Sequence, residues 1–268
     1  MGPNIASVVG GLVILAAVFG VLESVLPAAV GQSRWRRGWR VDVVWWFVTP
    51  LITKTIARVA IVLALVVAAV LAGVPIDKPN LESFLAPHPG IARLPWLVQL
   101  LGFLLLADLL AYLTHRLLHA GPLWRIHAVH HSSTEVDWLS SVRVHPLNDV
   151  LIRLVQAVPI VLIGFDPTLV AAYVPIFMFY AILVHANVPW SFGPLRYVLA
   201  SPRFHRWHHA AEEDGLNRNF AGMFPFIDVV FGTFHMPRDR QPTRFGIPDG
   251  DVPLGFWGQV AYPFRRAR

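Results

Sequence analysis

The sequence predicts an all-α integral membrane protein. Three observations carry that reading: 55% of the 268 residues are hydrophobic and only 14% charged, several apolar runs approach the length that crosses a bilayer, and the histidines gather where those runs end. Ordinary soluble domains hold roughly 45–50% apolar and about 25% charged residues, so this chain has too few charges to cover a water-facing exterior. With no cysteine, disulfides, thiolate metal sites, iron–sulfur clusters and a cysteine nucleophile are all excluded. The net charge is +6, from 22 Lys and Arg against 16 Asp and Glu. That balance suits nucleic acid or an anionic membrane face; the apolar background selects the membrane, and no nucleic-acid partner is expected.

The first uncharged run covers residues 2–22 and stays apolar beyond Glu23 as far as Val30. No Lys or Arg precedes it and no small-residue cleavage pattern follows, so it reads as a retained helix rather than a signal peptide. About 20 helical residues cross the roughly 30 Å hydrocarbon layer. The RWRRGWR segment at 34–40 interleaves four arginines with two tryptophans, which suits a cytoplasmic interfacial anchor, a solvated basic turn being the plainer alternative.

A second apolar tract covers residues 43–76, interrupted by Lys54 and Arg58. Its uncharged part, 59–76, is long enough to span, and Pro50 breaks the preceding stretch, which enters at the interface. Residues 77–94 read as an external loop, and the third helix is predicted over 95–119, with proline in its first turn. Residues 150–165 and 168–184 are apolar and separated by GFDP, a turn signature. Each is short for a full span, and together they predict a hairpin that enters and leaves by one face. The count is about four transmembrane helices: two long spans, one helix leading into the first histidine motif, and one re-entering hairpin. With 34–40 in the cytoplasm, residues 77–94 are external, and the histidine-rich segments and the FRRAR terminus meet on the cytoplasmic side of a multi-pass cell inner-membrane protein.

Eleven of the twelve histidines lie between positions 115 and 235. Three clusters stand out: His115 and His119 in HRLLH; His127, His130 and His131 in HAVHH; His205, His208 and His209 in HRWHH. In a helix, positions i, i+3 and i+4 share a face, so each cluster is expected to project its rings in one direction. Eight imidazoles exceed the needs of one ion and predict two. Imidazole suits zinc and mid-series metals including iron, and a ligating ring usually donates its other nitrogen to a neighbour. Asp108, Glu135, Asp137, Asp149, Glu212, Glu213 and Asp214 lie near enough in sequence to serve. An ionised Asp108 facing lipid is expensive, so it is expected to turn inward, toward a histidine or a buried arginine. His88 stands alone in the external loop, while His145, His185 and His235 each suit a ligand, a supporting donor or a structural contact. There is no HExxH, no Glu-x-x-His pair, no phosphate loop and no dinucleotide fingerprint.

The motifs DLLAYLTHRLLH (108–119), WRIHAVHHS (124–132), RVHP (143–146), HAN (185–187), HRWHH (205–209), NRNFAG (217–222) and DVVFGTF (228–234) occur in order. With them the chain resembles the fatty acid hydroxylase superfamily, also called the sterol desaturase family, of integral-membrane di-iron oxygenases. The resemblance covers 95–240, leaving 1–94 as N-terminal membrane helices and loops and 241–268 as a cytoplasmic tail. It implies a membrane core beneath a cytosolic helical cap that holds two iron ions. By the same resemblance His115, His119, His127, His130, His131, His205, His208 and His209 are ligands, His185 is an additional one, and His145 is a ligand or a support. Asn219 and Asp228 resemble polar supports.

The function this implies is hydroxylation of a C–H bond in a lipid, sterol-like or fatty acyl, using O2 and electrons from a separate donor such as a ferredoxin, cytochrome or reductase. Desaturation or alkyl ether lipid oxidation on the same scaffold is the alternative. A metal-binding transporter or sensor is the non-enzyme alternative, but a transporter holds its coordinating groups near midmembrane, whereas these clusters lie at a helix end and in polar segments.

Overall fold

The structure is a computed structural model that describes residues 4–248, 250 and 252–265; the last three residues of the FRRAR terminus lie outside the described residues. Among the described residues the chain is helical, apart from an isolated bridge pairing Ala210 with Phe245. Helix α1 (Ile5–Val25) starts at a capping box, in which Asn4 Oδ1 accepts the Ser7 N–H at 2.8 Å. Much of its length exposes Val and Ile side chains, as a lipid-facing helix does.

Helices α2 (Trp39–Val48) and α3 (Lys54–Leu71) form one run of 33 residues, joined by a π-turn at Thr49–Thr53. Pro50 therefore does not break the line, contrary to the sequence reading. Proline has no N–H and its ring crowds the carbonyl four residues back; widening the turn so that Lys54 N–H bonds to Thr49 O absorbs the defect without interrupting the helix. At 1.5 Å per residue the run measures about 50 Å, longer than the roughly 30 Å hydrocarbon layer. Its first ten residues pack against the C-terminal helix of the chain, where Trp45 Nε1 donates to Gln259 Oε1 at 2.7 Å.

Two short helices, α4 (Lys78–Phe84) and α5 (Pro89–Ala92), occupy the segment expected to be a loop, capped by Asp77 and His88. Helix α6 (Trp96–Leu118) falls within a residue of its predicted limits. It is followed by the eight-residue α7 (Trp124–His131), then by the pair α8 (Pro146–Ile163) and α9 (Pro167–His185). In the turn between them Gly164 adopts φ +83°, which favours glycine, and its carbonyl accepts the His88 N–H at 3.0 Å. The tip of the hairpin thus lies beside α5, at the opposite end of the bundle from His119 and His185.

Among the described residues five helices, not about four, are long and apolar enough to cross a membrane. The undercount arises at α8, whose first turns carry Asn148, Asp149 and Arg153 and so hide the start of an 18-residue helix. The cap adds α10 (Pro202–His208), α11 (Phe226–Val230) and α12 (Phe256–Ala261). The segment read as a tail is packed: Tyr262 is buried with Trp45, Ala128 and Val129. The basic segment at 34–40 is likewise more than an anchor. Trp35 is exposed, but Arg36 is buried between Asp137, at 2.5 and 2.6 Å, and Asp42, at 2.7 Å.

Candidate metal centre

Nine histidines converge where α6, α7, α9 and α10 meet. Their ring nitrogens form two groups, within each of which the atoms lie within 4.8 Å of one another: His115, His119, His127, His131 and His208 in one, and His130, His185, His205 and His209 in the other. The groups adjoin, with the His131 and His209 rings stacked at 4.4 Å.

The motifs do not each serve one group, as the shared-face expectation had it. From α7, His127 and His131 enter the first group and His130 the second; from HRWHH, His205 and His209 enter the second and His208 the first. Successive helical residues are about 100° apart, so an i, i+4 pair nearly superimposes while adjacent histidines diverge. Each HxxHH therefore divides its rings between two foci.

The tautomers follow from the partners. Nδ1 of His115 faces Phe220 O at 2.8 Å, that of His130 faces Arg143 O at 3.2 Å, that of His185 faces Ala181 O at 2.7 Å and that of His208 faces Arg218 O at 2.8 Å. A carbonyl only accepts, so each Nδ1 carries the proton and each neutral ring leaves Nε2 bare. His127 Nδ1 likewise donates to Asn148 Oδ1 at 2.8 Å, and Nδ1 of His119 lies 3.3 Å from Asn217 Oδ1.

Bare nitrogens then face one another. Nε2 of His115 and His127 are 2.9 Å apart, and those of His130 and His185 are 3.2 Å apart. Nε2 of His119 and of His208 is buried with no hydrogen-bond partner. Opposed lone pairs at this separation repel unless a cation lies among them. Metal–imidazole bonds of about 2.0–2.1 Å at right angles place two nitrogens about 2.9 Å apart, which fits both groups. Burial, followed by the nearness of other imidazoles, pushes His119, His127, His130, His131, His205, His208 and His209 well below the ordinary histidine value. These rings are neutral at pH 7, the form that ligates.

Two carboxylates brace the first group from behind. Asp228 accepts the N–H of Phe220 and Ala221 at 2.8 and 2.9 Å, and Asp108 accepts those of Gly222, Met223 and Phe224 at 2.7–3.0 Å. Five consecutive backbone donors are thereby fixed, and the first belongs to the residue whose carbonyl orients His115. Asp108 does turn inward, but toward backbone rather than a histidine or arginine. Asp228, whose pKa burial raises against the hydrogen bond from Thr233, is buried beside it.

Asn219 acts on the other side of the loop. It adopts φ +58°, donates to Phe204 O and His235 O, and accepts the His235 N–H at 2.7 Å, tying α10 to the segment 233–235. The His235 ring sits edge-on to Trp207 with centroids 4.8 Å apart, outside both groups. His145 is also outside: it caps α8 through Leu147 N–H and donates to Val260 O at 3.1 Å.

The carboxylates expected to orient the rings are engaged elsewhere. Asp149 pairs with Arg153, Asp137 with Arg36, and Glu212 with Thr243. Asn148, Asn217 and four backbone carbonyls take their place. Sequence reasoning missed these because carbonyls have no sequence signature, and because Asn148 stands next to the more conspicuous Asp149.

The model of the fatty acid hydroxylase family matches residues 100–233, half of the chain. The ornithine lipid hydroxylase OlsE of Rhizobium tropici is 30% identical over 224 residues, covering 81% of this chain and 64% of the relative. The alkylglycerol monooxygenase of Caenorhabditis elegans is 30% identical over 142 residues, 52% of this chain and 28% of the relative. The methylsterol monooxygenase erg25A of Aspergillus fumigatus is 29% identical over 170 residues, 60% and 54% of the two chains. In each case the chain spans less than two-thirds of the relative's length. No solved structure matches it. The matched stretch contains all nine convergent histidines, and the chain belongs to the fatty acid hydroxylase family, within the superfamily of histidine-rich di-iron oxygenases that includes the sterol desaturases.

Proposed function

We propose that the protein is a membrane lipid hydroxylase that uses O2, two iron ions and electrons from a separate donor such as a ferredoxin, cytochrome or reductase. The observation that carries this reading is the pair of adjoining all-histidine groups, five rings and four, at one end of apolar helices. In this reading His115, His119, His127, His131 and His208 hold one ion, and His130, His185, His205 and His209 hold the other. The irons supply oxygen-dependent attack on a C–H bond, for which side chains have no substitute. The chain's own residues orient the nitrogens through Phe220, Arg143, Ala181, Arg218 and Asn148 and keep them neutral by burial.

The substrate is a lipid because the centre lies at the end of apolar helices, which lets a long apolar molecule approach from the bilayer. The metal end and the chain's C-terminus face the cytoplasm of the inner membrane. A second reading, alkyl ether lipid oxidation, is favoured by the alkylglycerol monooxygenase relatives. Lipid extracts of cells with and without the gene test both: hydroxylation adds one oxygen atom to a lipid present in both extracts, desaturation removes two hydrogens, and ether oxidation releases a fatty aldehyde. Identical lipid profiles in cells expressing iron-loaded protein with a working donor would refute the enzyme reading.

A further inference from the structure

We propose that Lys54, Arg58 and Arg153, on the adjacent membrane helices α3 and α8, form a binding site for the acidic headgroup of a membrane lipid. Lys54 and Arg58 stand one turn apart on α3 and so share a face. Asp149 and Arg153 stand one turn apart on α8 and pair at 2.7 Å. Helix α3 and the π-turn that leads into it both pack against α8, which sets Lys54 and Arg58 on the helix beside Asp149 and Arg153. The cluster holds three cations and one acid, and that acid is already engaged.

The other acids of the membrane helices have their donors. Asp108 holds three backbone N–H groups, Glu23 holds those of Trp138 and Asn187, and Asp42 holds two arginines. Among the described residues, no carboxylate lies within 4.0 Å of Lys54 or Arg58. The Lys54 Nζ meets only the Met178 thioether of α9, at 2.9 Å, and sulfur is a weak acceptor. Reaching for water would account for the exposed Arg58, but Lys54 extends across to the neighbouring helix.

Position along the helix favours a headgroup. Lys54 and Arg58 stand in the first two turns of α3, which continues as an apolar helix to Leu71. Lys and Arg side chains near the end of a membrane helix reach back to the phosphate layer. Arginine forks match phosphate or carboxylate oxygens in pairs, and the lysine adds a point charge. The cluster is on the metal side of the bundle, because Asn148, which orients His127, immediately precedes Asp149.

The test reads binding without turnover, so its outcome is independent of the oxygenase reading. Wild type and a K54M/R58Q variant are reconstituted in phosphatidylcholine nanodiscs doped with phosphatidylglycerol, and retained lipids are counted by native mass spectrometry. Arg153 is kept so that its pair with Asp149 survives. Wild type should retain phosphatidylglycerol preferentially, and removal of two cations should weaken that preference about thirtyfold. Excess inorganic phosphate should leave the bound lipid in place. Equal retention of the two lipids by wild type, or an unchanged preference in a variant of normal melting temperature, overturns the proposal, as does complete displacement by inorganic phosphate. Should the double variant misfold, R58Q alone, at an exposed position, should weaken the preference about fivefold, and no change would overturn the site.

Discussion

Asp42 accepts both Nε and Nη2 of Arg143, at 2.5 and 2.9 Å, and the carbonyl of that same arginine takes the Nδ1 proton of His130. A membrane helix outside the matched stretch thus sets the orientation of a ring in the second histidine group. Arg36 closes the network by bridging Asp42 to Asp137. Replacing Asp42 by alanine leaves two buried guanidinium groups with one carboxylate between them, and breaking such a pair costs about 3–5 kcal/mol. The variant should melt earlier in detergent and lose iron, and wild-type melting with full iron content would show that the network does not support the site.

Asn148 offers a finer test. It is the partner of His127 Nδ1, and loss of a partner that orients a metal-ligating ring typically costs about 10–100-fold in metal affinity. Asn148→Ala should release iron to a chelator at correspondingly lower concentration. Asn148→Asp, which keeps an accepting oxygen, should restore most of the affinity.

The buried imidazoles make stability pH-dependent. Their folded-state pKa values lie well below the unfolded value of about 6.5, through burial first and neighbouring rings second. Below about pH 6.5 the unfolded chain takes up protons that the folded chain refuses, so stability is full above that pH and falls as the pH drops. The melting temperature of iron-depleted protein should be flat from pH 7 to 8 and decline from pH 6.5 to 5. A flat profile through pH 5 would mean that the folded rings take up protons as readily as those of the unfolded chain.

Substituting His130 by alanine should abolish lipid oxidation and reduce bound iron while the protein remains in the membrane. His88→Ala should retain near-normal activity, since His88 caps a short helix at the far end of the bundle. The comparison requires equal protein levels and direct iron measurement. Wild-type turnover by the His130 variant would remove the second group from the mechanism.

Orientation is tested with reporters. One inserted beside Pro87 should read external and one fused after Arg268 cytoplasmic, and reversed signals would invert the assignment.

Eight of the nine convergent histidines were legible because they recur at helical spacing in three motifs; His185 has no such spacing and stood out only through the family resemblance. Helix α6 was legible because its apolar run has a proline at one end and a histidine motif at the other. What escaped was set by partners distant in the chain. Arg36 reads as a surface anchor until Asp137, 101 residues away, is seen to bury it. Asp108 reads as a partner for histidine because nothing local announces the N–H groups of residues 222–224. The start of α8 was hidden because polar residues that face protein look, in a linear string, like residues that face water.

The π-turn at Thr49–Thr53 sets the phase between two environments. By holding one residue more than an α-turn, it rotates everything after it by about 100° relative to an uninterrupted helix. Helix α2 is thereby indexed to the cap, through Asp42 and Trp45, while α3 is indexed independently to α8. Insertions or deletions within these five residues would thus act as a gear change, turning Lys54 away from Met178 of α9 while leaving the Asp42 side of the helix engaged.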